Sequence, residues 1–335
     1  MSKTKKALII TGAVLGVLAL IAGIVAGSCA LFALAVEDDF TFIGYDGSKG
    51  GDRIHFLNVG SSDAILLESE GKFALVDCGE DSDNPRGFKG LELTGYEDFV
   101  VDYLNEFCAD EDGQIYLEFI IGTHAHSDHL GGFDTVLSQE NVHLERAYLK
   151  RYYEDRIKDS EVEDWDNKEV YEQTVAAVQA QGAELIQDLE DLSFTFGNYE
   201  ITIFNGQEAS PDDKVGENEN SLAILVEKDG YRVFLAGDLN NIDGDEKRIA
   251  PEVGKVNVLK LGHHGYAGSS SYSFVSTLKP EFTIQTTGNP ANVSVQVAVT
   301  MINKAPIYSS VKHNGIILDI TDVKNVKLFD NVEIL

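Results

Sequence analysis

The 335-residue chain is poor in cysteine and tryptophan, with three of the former and one of the latter. Beyond the N-terminal segment the cysteines are Cys78 and Cys108, which stand far apart in sequence without metal-type spacing. Two separate buried thiols fit this pattern better than a disulfide does. A chain of this length can bury a sizeable core without covalent cross-links, so disulfides are not needed to hold the fold.

Basic residues are scarce as well. The sequence has 26 Lys and Arg against 56 Asp and Glu, which gives a formal net charge of −30. Such a surface repels nucleic acid phosphates, whose binding proteins normally carry a basic footprint. It also disfavours lying flat on an anionic membrane. Metal ions and cationic groups are the partners that this field attracts, so the balance of charge argues against a nucleic acid partner.

One long stretch, residues 7–36, contains no charged residue at all. Its thirty residues are enough to span a hydrocarbon core of roughly 30 Å as a helix. Three lysines precede it within residues 1–6, and three acidic residues follow at 37–39. This asymmetry predicts a single-pass membrane anchor with the N-terminus inside the cell and the bulk of the chain outside.

Two other interpretations of this stretch fit less well. The apolar region of a cleaved signal peptide is usually only about 7–15 residues long. Cys29 follows Ala-Gly-Ser, which loosely resembles a lipoprotein cleavage site, but the residues after it are apolar where a mature lipoprotein normally begins polar. We therefore predict an uncleaved anchor, then a linker over residues 37–52 and a single catalytic domain over residues 53–335.

The stretch Thr-His-Ala-His-Ser-Asp-His-Leu-Gly-Gly, residues 123–132, concentrates metal-ligand side chains. It follows an apolar run, residues 116–121, that is typical of a buried strand. The four ligand-type residues are His124, His126, Asp128 and His129. Imidazole and carboxylate groups suit zinc, iron or manganese, and the two glycines are expected to let the chain turn tightly. A surface histidine cluster would be more scattered, so this stretch predicts a metal site at a strand end.

This stretch resembles the His-x-His-x-Asp-His signature of the metallo-β-lactamase superfamily. The resemblance implies an α/β fold, the αββα sandwich. It also implies a dinuclear site, with His124 and His126 on one metal and Asp128 and His129 on the other. We expect two divalent ions, zinc in the first instance with manganese or iron as alternatives. Two such ions share a hydroxide and clamp substrate oxygens, so a Ser-His-Asp arrangement or a Cys nucleophile is not needed.

The chain also repeats itself: residues 62–76 align without a gap against residues 221–235. Each copy is predicted to be a β-hairpin with glycine at the turn, and each ends beside an aspartate, Asp77 or Asp238. Two similar halves indicate two sheets packed face to face, with acidic residues delivered to a shared edge. This agrees with the sandwich that the resemblance implies.

Further residues match motifs of the superfamily. Asp238, in Leu-Ala-Gly-Asp just past a strand, falls where the resemblance implies a metal-bridging aspartate, and we take Asp128 and Asp238 as the catalytic carboxylates. Asp77 matches an early strand-end aspartate that supports the site or binds metal. A supporting carboxylate orients and polarises a ligand imidazole. In Gly-His-His-Gly, residues 262–265, His264 is the expected ligand and His263 the alternative.

One departure from the superfamily pattern concerns the His124/His126 metal. The superfamily usually places another histidine between the first cluster and the bridging aspartate. His143, which falls in that interval, is too close to the first cluster. The expected place lies near residues 218–221, so we expect this metal to have fewer protein ligands, completed by water, Asn220 or substrate.

Closer resemblances point to two groups within the superfamily. The chain is similar to the metallo-β-lactamase-like domain of competence-type DNA-uptake proteins and to the catalytic domain of teichoic-acid phosphorylcholine esterase. The matching pieces are residues 55–68, Asn220-Ser221, Gly237-Asp238 and the His-His pair. Tyr148-Leu-Lys-Arg-Tyr152, Arg156-Ile157 and Trp165-Asp-Asn167 are similar to the esterase specifically.

A choline substrate would need aromatic faces or acids around its quaternary ammonium group. The candidate aromatic residues are Tyr152, Tyr153, Trp165 and Tyr266. The alternative is that these are ordinary amphipathic surface residues, because residues 155–168 are strongly charged and predicted to be an exposed excursion. Residues 207–220 are acidic and predicted to be a loop near the site.

The resulting hypothesis is a membrane-anchored, extracellular, metal-dependent phosphodiesterase that resembles the phosphorylcholine esterase. Its substrate is expected to be small or linked to the cell wall. The alternatives are a competence-type nuclease-like domain and a non-catalytic surface domain that keeps its metal. No residue pattern specifies an oligomeric state.

Overall fold

The computed structural model describes residues 40–82, 94–212, 214–242 and 244–334. The predicted anchor, residues 7–36, lies outside the described residues. Within the described ranges, no helix combines the length and the apolar character needed to cross a membrane.

The described strands form two sheets, one of nine strands and one of seven. The nine-stranded sheet contains β1 Phe42–Gly44, β2 Arg53–Phe56, β3 Ala64–Ser69, β4 Lys72–Cys78, β5 Ile115–Gly122, β6 Val142–Leu149, β7 Glu184–Ile186, β15 Ile316–Asp319 and β16 Lys327–Asp330. The seven-stranded sheet contains β8 Ser193–Phe196, β9 Tyr199–Phe204, β10 Ala223–Lys228, β11 Tyr231–Leu235, β12 Val258–Lys260, β13 Phe282–Gln285 and β14 Ile307–Ser309. Their spatial orders are β1-β16-β15-β2-β3-β4-β5-β6-β7 and β14-β13-β12-β11-β10-β9-β8.

Helices cover the outer face of each sheet. On the nine-stranded sheet these are α1 Glu97–Cys108, α3 Phe133–Leu137 and α5 Asn167–Ala180. On the seven-stranded sheet they are α7 Asp245–Val253, α8 Tyr272–Leu278 and α9 Val293–Gln296, the last continued by a π-helical turn, Val297–Ile302. Three further helices are short: α2 Ser127–Leu130, α4 Asp159–Asp164 and α6 Glu217–Asn220. The predicted αββα layering is therefore confirmed.

The main core lies between the two sheets, and β10 shows why its sequence is apolar throughout. Ile224 and Val226 point into the core that both sheets share. Ala223 and Leu225 point the other way, into the core beneath the helices. Because both faces of the strand are covered, alternation of apolar and polar residues gives way to a continuous apolar run.

The two copies of the internal repeat are the hairpins β3-β4 and β10-β11, as predicted. Each turns through two residues of positive φ, Glu70-Gly71 and Asp229-Gly230, which is the backbone of a tight two-residue hairpin turn. Each hairpin then continues into parallel pairing, β4 with β5 and β11 with β12. Because the carboxyl ends of parallel strands meet at one edge, Asp77 and Asp238 arrive at the same end of the sandwich.

The segment predicted as a linker contributes an edge strand. Within residues 37–52, β1 pairs in parallel with β16. Its aromatic residues explain the attachment: Phe40 lies edge-on to Phe282 at 4.6 Å, and Phe42 to Tyr308 at 4.9 Å. The pairing depends on strands almost 300 residues further along the chain, so local sequence did not indicate it.

Candidate metal centre

The strand β5 positions the metal-ligand stretch. It lies inside the nine-stranded sheet, between β4 and β6, and ends at Gly122. Residues 123–126 continue past the strand end, and α2 carries Asp128 and His129. From the other sheet, Asp238 follows β11 and His264 follows β12, so both sheets deliver side chains to one buried cluster.

The glycine pair after α2 is needed for close packing. Gly131 and Gly132 have φ angles of −51° and −74°, which any residue can adopt. A Cβ at Gly131 would lie 2.4 Å from the carbonyl oxygen of Ser127, and a Cβ at Gly132 would lie 2.5 Å from that of Cys78. Backbone atoms cannot give way at such distances, so the pair allows α2 to sit against β4. The predicted turn is present at residues 131–132, but close packing and not backbone conformation is what requires glycine there.

One group of ligand atoms, here called position A, consists of His124 Nε2, His126 Nδ1 and Asp238 Oδ2. The two imidazole nitrogens are 3.0 Å apart, and His124 Nε2 is 3.9 Å from Asp238 Oδ2. A metal bound at about 2.0–2.2 Å from each ligand atom needs separations of this size.

A second group, position B, is formed by His129 Nε2, His264 Nε2 and Asp238 Oδ1, with Asp63 within reach of the same atoms. We include Asp128 in position B because its carboxylate borders both imidazoles. His129 Nε2 lies 3.2 Å from Asp238 Oδ1. His264 Nε2 lies 3.3 Å from Asp128 Oδ2 and 3.5 Å from Asp238 Oδ1. Asp238 thus offers one oxygen to each position, which is the geometry of a bridging carboxylate.

The inward-facing atoms of position B fit a cation. The Nε2 atoms of His129 and His264 and Oδ1 of Asp238 are buried and make no hydrogen bond with the described residues. Buried polar atoms are normally paired, so three of them converging on one point without a hydrogen bond indicate a site built for a positive ion. Neutral imidazole and carboxylate are also the ligand types that zinc, manganese and iron take.

Carboxylates stand behind both imidazoles of position B. Asp77 Oδ2 is 2.7 Å from Nδ1 of His129, and Thr123 holds that carboxylate through its backbone N–H and its hydroxyl, both at 2.8 Å. Asp63 Oδ1 is 3.2 Å from Nδ1 of His264. The Asp77 contact matches its predicted supporting role. Each carboxylate fixes the imidazole so that Nε2 points at the metal position.

Asp63 is a site residue that the sequence analysis missed. Its carboxylate pairs with the buried ammonium group of Lys260 and accepts a hydrogen bond from the Thr286 hydroxyl at 2.5 Å. Burial raises the pKa of Asp63, but Lys260 and His264 outweigh burial and hold it below the usual range. Since these partners already occupy both oxygens, we assign Asp63 a supporting role, although it lies within reach of position B. A carboxylate directly before the buried strand β3 was the available signal.

Position A has a different support. His126 Nε2 is 2.9 Å from Glu161 Oε1, and the ring of Trp165 stacks on the His126 ring with centroids 5.0 Å apart. Burial raises the pKa of Glu161, but the hydrogen bond and charge of His126 lower it below its ordinary value overall. The predicted exposed excursion, residues 155–168, therefore folds against the site instead. Its high charge suggested solvent exposure, and only the tertiary contact shows that one carboxylate serves His126.

Residues 217–220 close the same side of the site. The superfamily pattern places a further histidine near this segment, which this chain lacks. Glu217 Oε1 accepts the backbone N–H of Ala125 at 3.0 Å, and Glu217 Oε2 accepts the side-chain amide of Asn220 at 3.1 Å. Asn220, predicted to complete position A, therefore points its amide at Glu217. The structure instead brings the amide of Asn218 to 3.5 Å from His263 Nε2. Of the predicted loop, residues 207–220, the last turn Glu217–Asn220 lies beside the site.

The two late histidines occupy a strained turn. His263 and His264 both have left-handed backbones, with φ of 47° and 51°, and Gly265 follows at 84°. Left-handed backbone in a non-glycine residue is uncommon and costs on the order of 1 kcal/mol or more. The turn buries His264 in position B and leaves the side chain of His263 31% exposed.

The protonation of the imidazoles differs between the two positions. Burial, together with the neighbouring imidazoles of His129 and His126, holds the pKa of His124 well below its ordinary value. Burial also lowers the pKa of His264, but the carboxylates of Asp238 and Asp63 outweigh burial and raise it to about 9. The pKa of His129 is raised well above its usual range in the same way, by Asp238 and Asp77 against burial.

Two clefts flank the cluster and divide the predicted substrate residues. A cleft of about 420 Å³ opens beside position B and is lined in part by Asp128, His263 and Tyr266. A second cleft, of about 380 Å³, is lined by Tyr152 and Trp165 together with several acidic residues. Tyr153 lines neither of these clefts among the described residues; the guanidinium of Arg156 covers its ring at 3.6 Å.

Several known proteins are similar to this chain in sequence. Residues 75–285 match the protein family described as Beta-lactamase superfamily domain. The chain is 28% identical to ComE operon protein 3 of Bacillus subtilis over 174 residues, which are 51% of this chain and 20% of that protein. It is 27% identical to Recombination protein 2 of Haemophilus influenzae over 245 residues, 72% of this chain and 25% of that protein. The chain thus spans a quarter or less of these relatives' length, and both support the resemblance to competence-type proteins.

Solved structures give weaker likenesses. The metallo-beta-lactamase fold protein YhfI of Bacillus subtilis superposes with a TM-score of 0.48 at 12% identity, over 78% of this chain and 96% of that one. The short form of human tRNase Z gives a TM-score of 0.40 at 15% identity, over 70% and 92% of the two chains.

Proposed function

The chain belongs to the beta-lactamase superfamily, and we propose that it is a metal-dependent hydrolase that cleaves phosphodiesters. The observation that carries this proposal is Asp238, whose two oxygens face separate groups of imidazoles. Divalent ions held at positions A and B would supply a hydroxide of lowered pKa and a clamp for substrate oxygens. Zinc is our first choice, with manganese and iron as alternatives.

The residues of the chain have distinct roles in this proposal. The six ligand side chains hold the ions, and Asp77, Asp63 and Glu161 fix the orientation of three of the imidazoles. Asp128 lines the larger cleft, where its carboxylate can accept a proton from attacking water. Tyr266 lines the same cleft, with its hydroxyl 3.2 Å from both the Ser61 hydroxyl and the Asn289 amide. Tyr266 is therefore placed to contact a substrate oxygen.

The charge of the clefts favours a small neutral or cationic substrate. Among the described residues that line the larger cleft there is no Lys or Arg, whereas Glu80 and Asp128 are acidic. The smaller cleft combines the rings of Tyr152 and Trp165 with four carboxylates, those of Glu154, Asp166, Glu169 and Glu172. Its one ammonium group among the described residues, that of Lys168, pairs with Glu154 at 3.3 Å, so acidic groups remain in excess. Aromatic faces and carboxylates together suit a quaternary ammonium group. A phosphorylcholine diester is the substrate that fits this combination, in line with the esterase resemblance.

A competence-type nuclease-like activity is the second candidate. Both curated relatives favour it, although this chain covers only 20–25% of their length. The formal net charge of −30 argues against it, since a polyanionic substrate normally requires a basic groove.

We also propose that residues 7–36 anchor the chain in the cell membrane, with the catalytic domain outside. The uncharged stretch and the lysines before it support this topology. Protease added to intact cells should remove the domain and leave the N-terminus protected. Protection of the whole chain would contradict it.

The experiment that tests the proposed function is a release assay on the full chain loaded with zinc or manganese. Its substrates are the nitrophenyl ester of phosphorylcholine, bis(nitrophenyl) phosphate and single-stranded DNA. Faster turnover of the choline ester than of the generic diester supports the esterase-like function. Cleavage of DNA with slow turnover of the choline ester would favour the nuclease instead. Metal binding without turnover of any of these substrates would contradict the phosphodiesterase proposal and leave a hydrolase of another ester class or a non-catalytic surface domain.

Tyr152→Ala tests the aromatic cleft itself. We expect KM for the choline ester to rise about tenfold, in line with the loss of a cation–π contact, while bis(nitrophenyl) phosphate is unaffected. Tyr116→Ala, at a tyrosine that is 58% exposed and far from the site in the sheet, is the matched control. Equal effects on both substrates would contradict a cation-specific role.

A further inference from the structure

The left-handed turn at His263 and His264 directs two imidazoles toward one carboxylate. His264 Nε2 lies 3.5 Å from Asp238 Oδ1, and His263 Nε2 lies 3.9 Å from Asp238 Oδ2. Consecutive residues in an extended strand would point to opposite faces, but this turn aims both side chains at the same group. Two adjacent strained residues persist only where the surrounding structure holds them, and such strain is concentrated at functional sites.

The two oxygens of Asp238 have matching surroundings. Oδ1 has His129 Nε2 at 3.2 Å and His264 Nε2 at 3.5 Å. Oδ2 has His124 Nε2 and His263 Nε2, both at 3.9 Å. Each oxygen is thus flanked by one histidine from the His-x-His-x-Asp-His stretch and one from the late pair. His264 completes position B in this arrangement. His263 lies on the corresponding side of position A, next to Asp238 Oδ2 but outside the group that His124, His126 and Asp238 form.

Position A is also the position that is short of a ligand. In the described residues its donors are His124, His126 and Asp238. Four donors are usual for zinc, with a water as the fourth in catalytic sites. The side chain of His263 is 31% exposed at the cleft, so it has room to adjust its χ angles toward an ion.

The neighbour of His263 supports the same assignment. Asn218 belongs to the segment, residues 218–221, near which the superfamily pattern expects a histidine, and its amide nitrogen is 3.5 Å from His263 Nε2. Its side-chain oxygen is buried without a hydrogen-bond partner among the described residues. A polar residue here keeps the space beside His263 hydrophilic, where a water ligand can be held.

We propose that His263 supplies the third imidazole of position A, in place of the histidine missing from the middle of the chain. This inference rests on the proposed two-metal site. The Gly-His-His-Gly turn then serves both metals, one histidine each, on either side of the shared Asp238.

The test is metal binding by the full chain, measured without substrate. Metal content after dialysis and the ligand-field absorption of cobalt(II) would be compared for the wild type, His263→Ala and His143→Ala. His143 is the control because its Nε2 contacts Gln114 at 2.9 Å on the far part of the sheet. We expect two ions per chain in the wild type and in His143→Ala, and one in His263→Ala. Affinity at position A should fall by about 100-fold or more, beyond the 10–100-fold typical of losing a supporting residue.

The outcomes separate this inference from the proposed function. Two ions of unchanged affinity in His263→Ala would overturn the inference alone, and His263 would then act on substrate. A single ion in the wild type would overturn the two-metal proposal, and this inference with it. His263→Asn repeats the measurement if the alanine variant folds poorly, because asparagine tolerates left-handed backbone and lacks the imidazole. His263→Asp should restore the second ion, since a carboxylate can replace the imidazole as a ligand.

Discussion

Positions A and B share Asp238, but the carboxylates that support their imidazoles lie in different parts of the fold. The supports of position B, Asp63 and Asp77, stand at β3 and β4 inside the nine-stranded sheet, and their side chains are 1% exposed. The support of position A, Glu161, stands on the short helix α4 and is 17% exposed. Position B is thus tied to the core, whereas position A depends on an excursion between strands.

This difference predicts unequal metal sites. Opening α4 costs less free energy than opening a central strand, because peripheral elements have fewer buried contacts. The imidazoles of position B are therefore held in place before an ion arrives, and His126 of position A is held only while α4 is closed. We expect position B to bind first and tightly, and position A to exchange its ion more readily.

The largest effect is expected from a change to Asp238, the carboxylate that both positions share. Asp238→Asn removes the bridging charge from both positions, so neither should retain its ion through dialysis. Phosphodiester turnover should fall by about 1000-fold or more. Metal analysis and the nitrophenol assay would measure both effects. Asp98→Asn, at an exposed aspartate of α1, is the control, and retention of two ions by Asp238→Asn would contradict a bridging role.

The next largest effect is expected from pH, because the imidazoles of the two positions differ in pKa. In the metal-free protein the carboxylates of Asp238 and Asp63 overcome burial and raise the pKa of His264 from an ordinary 6.5 to about 9. An ion entering position B at pH 7 must therefore displace a proton, whereas His124, whose pKa burial lowers, is already neutral. Because the pKa of His129 is raised as well, affinity at position B should rise by more than tenfold per pH unit between pH 7 and 9, and affinity at position A should change little.

The same shift fixes the sign of a stability effect. A raised histidine pKa stabilises the metal-free fold fully below pH 6.5, and this contribution is lost as pH rises through about 9.

The protons released when metal binds can be counted by calorimetric titration in buffers of different ionisation enthalpy. His126→Ala would disable position A and His264→Ala would disable position B. Equal proton release from both positions would refute the asymmetry.

Removing a core support should weaken position B alone. Asp77→Asn keeps the size of the side chain and tolerates the left-handed backbone, φ 56°, of that residue. It loses the charge that orients His129, so affinity at position B should fall about 10–100-fold. Cobalt(II) titration would resolve the two sites. An equal loss at position A would show that Asp77 acts on the fold as a whole.

The smallest effect is expected from the peripheral support. Glu161→Gln should lower affinity at position A about tenfold and leave position B unchanged, because the amide can still meet His126 but carries no charge. Glu163→Gln, at an exposed residue of the same helix, is the control. A larger loss for Glu161→Gln than for Asp77→Asn would reverse the proposed order of the two positions.

Much of the fold was predictable because its signals are local. The hairpins β3-β4 and β10-β11 were recognisable from two short apolar runs on either side of a glycine, and these patterns depend only on neighbours in the chain. The strand β1 and the helix α7 were missed. β1 pairs with a distant strand, and α7 carries Pro251 within a charged sequence that weakens a helical pattern.

The candidate site divides in the same way. The sequence by itself marked the His-x-His-x-Asp-His stretch, because four ligand-type residues cluster at one strand end, and the resemblance to the superfamily pointed to Asp238 and the late histidines. Only the tertiary structure decided what stands behind them. Glu161 is 35 residues from His126, and Thr286 is 223 residues from Asp63. Isolated polar residues carry no periodic pattern, so their roles arise when packing of the two sheets and α4 brings them against an imidazole and excludes water.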